Sequence, residues 1–481
     1  MLKNSAMLFA GRISARFLGL LSTIVVARIL VPEDYGIIAA CMIVQDFAAR
    51  IQKLGIDQNI ISKSTVDNEF LSSSFLLKFL LSALSSLLVF SFAGQAAFYL
   101  ENPEVEPLLQ LVCWSFMIQG LCNLNLITEA KKQNFKPEIF TMLCAKIVSV
   151  TVTLVLAKLL NNYWALAIGM ITADVAYVFF SYIFTKAYLP KWASWTQIKE
   201  IMGFSKWIFL HQNVDFFNAK IFQLAVVKLF DVKFLGYFSL GTNLANIYVS
   251  EVSAAVDKSN LSHLSNSIQE DKNNSRLLLD NMAYVFDIKH IVIIPAYVCV
   301  AAYPHLFIGL LLGEQWLEMA PFLSAFAISL SVVAYNQSLV AILISLRQPK
   351  RVFNTVIVQL TFRCMVVALA YYYSSVLFLA YAGIFVSLVG SLCLYRFVMQ
   401  NVDLDDNKTF LLSTFYQLVK VVVCLSFVYI TKSDGWLGMC VLIVVLVALT
   451  LMENKVFASQ AYSDMFRGIS AKVRQYVGSQ N

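Results

Sequence analysis

Long apolar windows, each of bilayer-crossing length, alternate along this chain with short polar breaks. A spanning helix takes about 20 mainly apolar residues. Such windows fall near 8–30, 36–55, 75–98, 108–128, 139–158 and 163–185. Six more lie near 207–229, 236–256, 286–312, 321–345, 354–374 and 376–398, and a last pair near 410–430 and 436–452. The pattern predicts an all-α polytopic membrane protein of about fourteen transmembrane helices. Only the region Tyr371–Ser375 separates windows eleven and twelve, which reads either as one tight turn or as a misplaced boundary.

Two connections are longer than the rest. Residues 186–206 set Trp192, Trp195, Ile198 and Met202 at helical spacing beside Lys191 and Lys199, the pattern of a short helix lying in the interface. Residues 257–285 are polar and read as partly helical.

Loop charge supplies the orientation. Alternate connections carry Lys53 and Lys63; Lys131, Lys132 and Lys136; Lys186, Lys191 and Lys199; Lys258, Lys272 and Arg276; Arg347, Lys350 and Arg351. The tail adds Lys455, Arg467, Lys472 and Arg474, whereas one intervening loop reads Glu101-Asn-Pro-Glu-Val-Glu106. Positive charge marks the cytoplasmic side, so both termini are expected inside, as an even helix count requires.

A faint internal repeat appears at an offset of 200 residues. Ser5, Phe9, Val26 and Gly36 match Ser205, Phe209, Val226 and Gly236, and Arg28 matches Lys228. In each copy an apolar helix runs into a short outer turn closed by the glycine. The same offset separates six helices from six, an arrangement known in transporters whose halves rock about a central site. The expected organisation is a six-helix bundle over 1–199 and a second over 200–400, related by a pseudo-two-fold. Two additional helices and a cytoplasmic tail then occupy 401–481.

Composition agrees with the pattern. Apolar residues are 59% of the 481 and charged residues 14%, where a soluble chain carries nearer a quarter charged; mean hydropathy is +0.71. The 37 Phe, 21 Tyr and 7 Trp suit lipid-facing bulk and interfacial anchoring. The net charge of +7 is scattered singly through loops, which argues against a nucleic-acid partner. All nine cysteines fall in apolar segments without metal-ligand or CxxC spacing, and read as small core hydrophobes. Arg12 and Arg16 interrupt the first apolar stretch, so no cleavable signal peptide is expected.

Ionisable groups inside a span are costly and usually face a bundle interior or an aqueous cavity. Arg12 and Arg16 stand four apart on helix one, and Asp46 and Arg50 repeat that spacing on helix two. Helix seven carries His211, Gln212, Asn213, Asp215, Asn218, Lys220 and Gln223. Helix eight aligns Asn243, Asn246 and Ser250, ending in Glu251 and Asp257. Lys146, Asp174, Lys289, Arg363 and Lys420 add single charges. Together they predict a cavity of basic bias where helices one, two, seven and eight meet, suited to an anion because apolar walls strengthen each cationic contact. Against this, Arg12, Arg50 and Lys289 have a snorkelling alternative, and Asp46 with Arg50 reads equally as an ion pair within one helix. Arg16, Asp215, Lys220 and Arg363 lie deeper. Asp174, near Thr172, reads as a proton or coupling-ion position.

Enzymatic readings find little support. Asp403-Leu-Asp405-Asp406 resembles a metal-binding DxD, but it lies in a short loop with no nucleotide-binding domain around it. His211, His263, His290 and His305 form no metal-ligand set, and neither a Walker A loop nor GxGxxG occurs. No metal site and no bound cofactor are expected.

The first sixty residues resemble lipid-linked oligosaccharide flippases of the Wzx or polysaccharide-transporter type, in the superfamily that also holds multidrug and toxic-compound extruders. The resembling stretches are Ala27-Arg-Ile-Leu-Val-Pro-Glu-Asp-Tyr-Gly36, Asp46-Phe-Ala-Ala-Arg-Ile-Gln-Lys-Leu-Gly-Ile-Asp57 and Asn59-Ile-Ile61. Lys131-Lys-Gln-Asn-Phe135 and the segment from His263 to Asp271 are similar to two further family markers. The family often carries a proline just before the latter, and Asp257–Leu261 has none. The resemblance implies export of an undecaprenyl-diphosphate-linked oligosaccharide across a bacterial inner membrane by alternating access, for O-antigen, capsule or exopolysaccharide. It also implies polymerase and chain-length machinery as partners. On this reading Arg12, Arg16, Arg50, Lys220 and Arg363 contact the anion, and Asp46, Asp174 and Asp215 are proton or sodium positions. Two alternatives stay open: a cation-coupled drug antiporter of the same superfamily, whose cavity would be acidic, and a polysaccharide-processing membrane enzyme.

Overall fold

The computed structural model describes residues 2–53, 56–63, 66–186, 193–253, 275–346, 348–400 and a few positions between 438 and 446. Among them the secondary structure is helical, without strands. By internal contacts the chain forms two compact units, Met1–Leu240 with Leu311–Trp316, and Gly241–Leu310 with Leu317–Asn481.

The first unit contains α1 (Leu2–Ala27), α2 (Pro32–Lys53), α3 (Ile56–Ser62), α4 (Asn68–Tyr99), α5 (Val105–Gly120) and α6 (Asn125–Lys131). It continues with α7 (Lys136–Leu160), α8 (Trp164–Phe184), α9 (Trp195–Leu229) and the first half of α10 (Val232–Tyr248). Helix four is a bent pair, because α5 and α6 meet at 57°. Residues 195–206, expected as a separate interfacial helix, are instead the opening turns of the continuous 35-residue α9. Ile198 and Ile201 bury against Ile56, Ile60, Phe70 and Leu124.

Local chemistry explains several ends. Asp67 caps α4 by accepting from Phe70 N at 2.8 Å. Asn161, with φ 50°, closes α7 in the left-handed conformation that asparagine tolerates. Lys131, at the end of α6, donates to the carbonyls of Ile60 and Lys63 at the end of α3.

Along α4 a buried row of Ser72, Ser73, Ser74, Ser82, Ser85 and Ser86 lets its neighbours approach closely. Several of these hydroxyls donate to carbonyls four residues back, so their burial is satisfied. Ser85 Oγ reaches across to Ala48 O of α2 at 3.2 Å.

At the repeat-derived turns the same contact occurs twice with the copies exchanged. A Cβ on Gly36 would collide with the carbonyl of Val232, and one on Gly236 with the carbonyl of Pro32. Arg28 Nε donates to Leu311 O at 3.1 Å, while its repeat partner Lys228 donates to Tyr99 O at 3.2 Å. The segment Leu311–Trp316 also caps the end of α1. Trp316 Nε1 and Gln315 Nε2 both donate to Ala27 O at 2.7 Å. The fully buried Trp316 ring meets Tyr35 and Tyr237 edge-on, with centroids 5.2 and 6.0 Å away.

The second unit follows α10 through a π-helical turn, Val249–Ser253, and holds α11 (Ser275–Ala302), α12 (Pro304–Leu311), α13 (Ala320–Ser345), α14 (Pro349–Tyr373) and α15 (Val376–Met399). Windows eleven and twelve are two helices, α14 and α15. Ser374 turns the chain between them at φ 48° and Ser375 caps α15. Lys289 does not snorkel. It is fully buried, and its Nζ donates to Ala334 O at 2.6 Å. Asn336 joins α13 to α15 through Ser387 O and Ser391 Oγ.

Among the described residues eight helices are long and apolar enough to cross a bilayer, or nine if the bent pair is one span. This is a multi-pass membrane protein. Of the long helices, α2 and α9 are absent from that set because they carry the charges of the expected cavity. The last two expected helices, the Asp403–Asp406 cluster, Lys420, Asp257 and the segment from His263 to Asp271 lie outside the described residues.

Candidate functional site

Helices α2 and α9 pack together and bring three of the expected site residues into one cluster. Lys220 Nζ lies 2.9 Å from Asp46 Oδ2. One turn along α2, Arg50 donates through Nη1 to Gln212 O of α9 and lays its guanidinium over the Phe216 ring, 5.0 Å from the centroid. Its Nε is buried without a hydrogen-bond partner. The spacing of 46 and 50 puts both on one face of α2, but each is engaged by α9 rather than by the other. The within-helix ion pair is therefore not what forms.

Aromatic rings wall this cluster. Phe47 lies 5.5 Å from Phe216 and 6.3 Å from Phe217, centroid to centroid. Arg50 and Lys220 against Asp46 leave one net positive charge. A buried, unspent N–H on an arginine beside a half-buried lysine is the chemistry of anion binding, since charge-assisted contacts strengthen where water is scarce.

The other expected residues are dispersed. Arg12 is exposed and pairs with Glu138 of α7 at 3.5 Å. Arg16 and Asp215 are exposed on α1 and α9. Arg363 is half-buried on α14, in the second unit. Asp174 on α8 accepts from Ser115 Oγ and, at 3.0 Å, from Gln119 Nε2.

That last group borders a cavity of about 370 Å³ within the first unit, lined by Gln52, Asp57, Lys78, Gln119, Asn123 and Asp174 among others. Gln52 and Gln119 carry no charge and so stand outside the charged set read from the spans. An amide buried in a span is also costly, and that signal was available. No group of three or more His, Cys, Asp or Glu positioned to hold a metal ion occurs among the described residues.

Fold and sites together define a multi-helix membrane protein in which a few charged and amide side chains pair between helices. The family model described as polysaccharide biosynthesis protein matches residues 25–321, more than half of the chain, and the protein belongs to that family. A membrane protein in the cps region of Klebsiella pneumoniae is 22% identical over 319 residues, 65% of this chain and 64% of that one. The lipopolysaccharide biosynthesis protein WzxC of Escherichia coli K12 is 20% identical over 64% of this chain and 62% of its own length. The chain thus spans somewhat less than two thirds of these relatives.

Among solved structures, the lipid II flippase MurJ in an inward closed conformation superposes with a TM-score of 0.75 at 14% identity, over 96% of this chain and all of that one. An inward-facing multidrug transporter of the MATE family in the MOP superfamily gives 0.60 at 11% identity, over 80% and 95%. The fold is the one seen in these two structures.

Proposed function

We propose that this protein moves a lipid-linked oligosaccharide, carried on an undecaprenyl diphosphate, from the inner to the outer leaflet of a bacterial inner membrane by alternating access. The observation that carries the reading is the cluster on α2 and α9. There the buried Arg50 Nε has no partner, and Lys220 is held by a single carboxylate. A diphosphate arriving there satisfies the arginine and competes with Asp46 for the lysine. Arg12 and Arg16 of the first unit and Arg363 of the second are further basic groups for the anion, and Asp46 and Asp215 are positions for a coupling proton or sodium ion. Membership in a polysaccharide biosynthesis family supports the substrate class, and one relative, the succinoglycan biosynthesis transport protein ExoT of Rhizobium meliloti, is named for transport. A drug antiporter of the same fold takes organic cations, which this basic cluster disfavours. The product feeds a polysaccharide polymerase and chain-length machinery, with both termini on the cytoplasmic side.

The test is a cell carrying Arg50→Ala or Lys220→Ala at normal expression. Complete lipid-linked units should accumulate on the inner leaflet while surface polysaccharide falls. Full surface polysaccharide from both variants would refute the site. Accumulation of incomplete units would point to an enzyme.

A further inference from the structure

We infer that the cavity inside the first unit is a subsite for a neutral pyranose ring, one that is not itself bonded to the diphosphate. Its centre is an amide with an unspent acceptor. Gln52 is 2% exposed and donates through Nε2 to Ser82 Oγ at 3.0 Å and to Phe116 O at 3.2 Å. Ser82 spends its own proton on Lys78 O, and a backbone carbonyl can only accept, so the amide cannot turn over. Its Oε1 stays buried without a hydrogen-bond partner at the cavity wall, a costly arrangement until a donor arrives. Gln119 repeats the pattern. Its Nε2 is directed to Asp174 at 3.0 Å and Ser115 at 3.5 Å, which leaves its Oε1 as a second acceptor on the lining.

Charge and shape narrow the ligand. Lys78 stands 3.9 Å from Asp57, an ion pair too long for a hydrogen bond, so each partner keeps bonding capacity for a ligand. A cation entering the cavity meets the Lys78 ammonium, and an anion meets the Asp57 carboxylate. Hydroxyls donate and accept at once, and so satisfy the two amide carbonyls, the ammonium and the carboxylate together. Ile56, Leu126, Ile127 and Tyr177 make the rest of the wall apolar, which complements the C–H face of a sugar ring. A volume of about 370 Å³ lies at the lower end of small-molecule sites, about 300–1,000 Å³. That admits a ring or two rather than a whole oligosaccharide.

Position decides which ring. Arg50 engages α9, whereas Gln52, two residues on, engages α4 and α5. Cavity and anion cluster therefore lie on different faces of α2, a helix width of about 10 Å apart. A ring joined directly to the diphosphate does not reach across, so the cavity takes one further along the chain. That the ring belongs to a lipid-linked chain rests on the transport reading above; the binding of a sugar does not.

The test uses the purified full-length protein in a detergent without a sugar headgroup, read by thermal shift and saturation-transfer NMR. The probes are the methyl glycosides of glucose, galactose and N-acetylglucosamine, with glucosamine and glucuronate as charged counterparts. At least one neutral glycoside should bind saturably and more tightly than either charged sugar. Gln52→Leu should weaken it by about tenfold, the worth of one good hydrogen bond. Ile127→Trp fills the cavity and should abolish it. Lys78→Met should raise the affinity for glucosamine by about tenfold, a gain that a misfolded variant cannot give. A wild type that binds no neutral glycoside, and so holds water alone, overturns the subsite. Tighter binding of a charged sugar overturns it too, as does binding that survives Ile127→Trp. Should the sugar pattern hold while Arg50→Ala and Lys220→Ala still give full surface polysaccharide, the subsite stands and the anion site of the transport reading falls. The opposite pair of results removes the subsite alone.

Discussion

Gly36 and Gly236 sit at reciprocal positions of one helix crossing, Gly36 beneath the carbonyl of Val232 and Gly236 beneath that of Pro32. The four positions are two pairs, each 200 residues apart. The crossing is therefore built from the same register of both repeat copies, each supplying one glycine and one carbonyl.

Alanine at either glycine drives a methyl into a backbone carbonyl, which cannot rotate away as a side chain can. Gly36→Ala and Gly236→Ala should each cost about 2–3 kcal/mol, the range for overpacking that forces backbone to shift. They should lower the melting temperature in detergent by similar amounts. The double variant should lose less than the sum, since the first substitution already opens the shared contact. An unchanged melting temperature in either single variant would mean that the crossing is looser than drawn.

The sequence marks these two glycines but not their crossing, because each mark is local. Gly36 and Gly236 each close a turn beside their own apolar helix, and the offset does the rest. The spans were legible for the same reason, as periodicity and loop charge act over a few residues. Contacts across the chain were not. Nothing near Asp46 announces Lys220, 174 positions on, and nothing near Ala27 announces that Trp316 will bond its carbonyl. The short helix expected over 186–206 is not separate from Trp195 on, since α9 runs unbroken and Ile198 and Ile201 meet a buried surface that no local pattern supplies. Gln52 is not legible in a charge count because its amide is neutral, although an unsatisfied buried carbonyl costs about 1–3 kcal/mol.

Trp316 separates hydrogen bonding from packing in the segment that caps α1. Trp316→Phe removes the bond from Nε1 to Ala27 O, but Gln315 still donates to that carbonyl. The loss should be about 1 kcal/mol. Trp316→Ala also empties the space between Tyr35 and Tyr237 and should cost about 3–5 kcal/mol. Thermal or denaturant unfolding of both variants should preserve that order; equal losses would mean that the indole bond, not the ring, holds the segment.

The turn at Glu101 predicts an acid-sensitive contact. Lys228 donates to Glu101 Oε1 at 2.7 Å, and this bond, with the charge of Lys228, holds the Glu101 carboxyl below its usual range. A carboxylate with a depressed folded-state pKa stabilises above its unfolded value, and the contribution is lost as pH falls through the folded value. The difference in melting temperature between wild type and Glu101→Gln should therefore be small at neutral pH, because the pair is exposed. It should vanish on acidification and shrink in high salt. A difference that grows on acidification would contradict the assignment.

Asp46 and Lys220 predict opposite effects on binding from two partners of one ion pair. Each is partly exposed, so truncating either should cost no more than about 1 kcal/mol of stability, and a double-variant cycle should return a coupling of that order. Affinity for an anion is the sharper measurement. Asp46→Asn removes the carboxylate that occupies Lys220, so inorganic pyrophosphate, used as a probe of the diphosphate, should bind more tightly. Lys220→Met removes a cation and should weaken the same binding, with Arg50 retaining part of it. Tighter binding in Asp46→Asn should come with slower transport, because a carboxylate that reclaims the lysine helps to release the anion on the far side. A pair that served only to join α2 to α9 would give two variants that look alike, equally destabilised and equally indifferent to pyrophosphate. That result would remove Lys220 from the site while leaving Arg50 to be tested by itself.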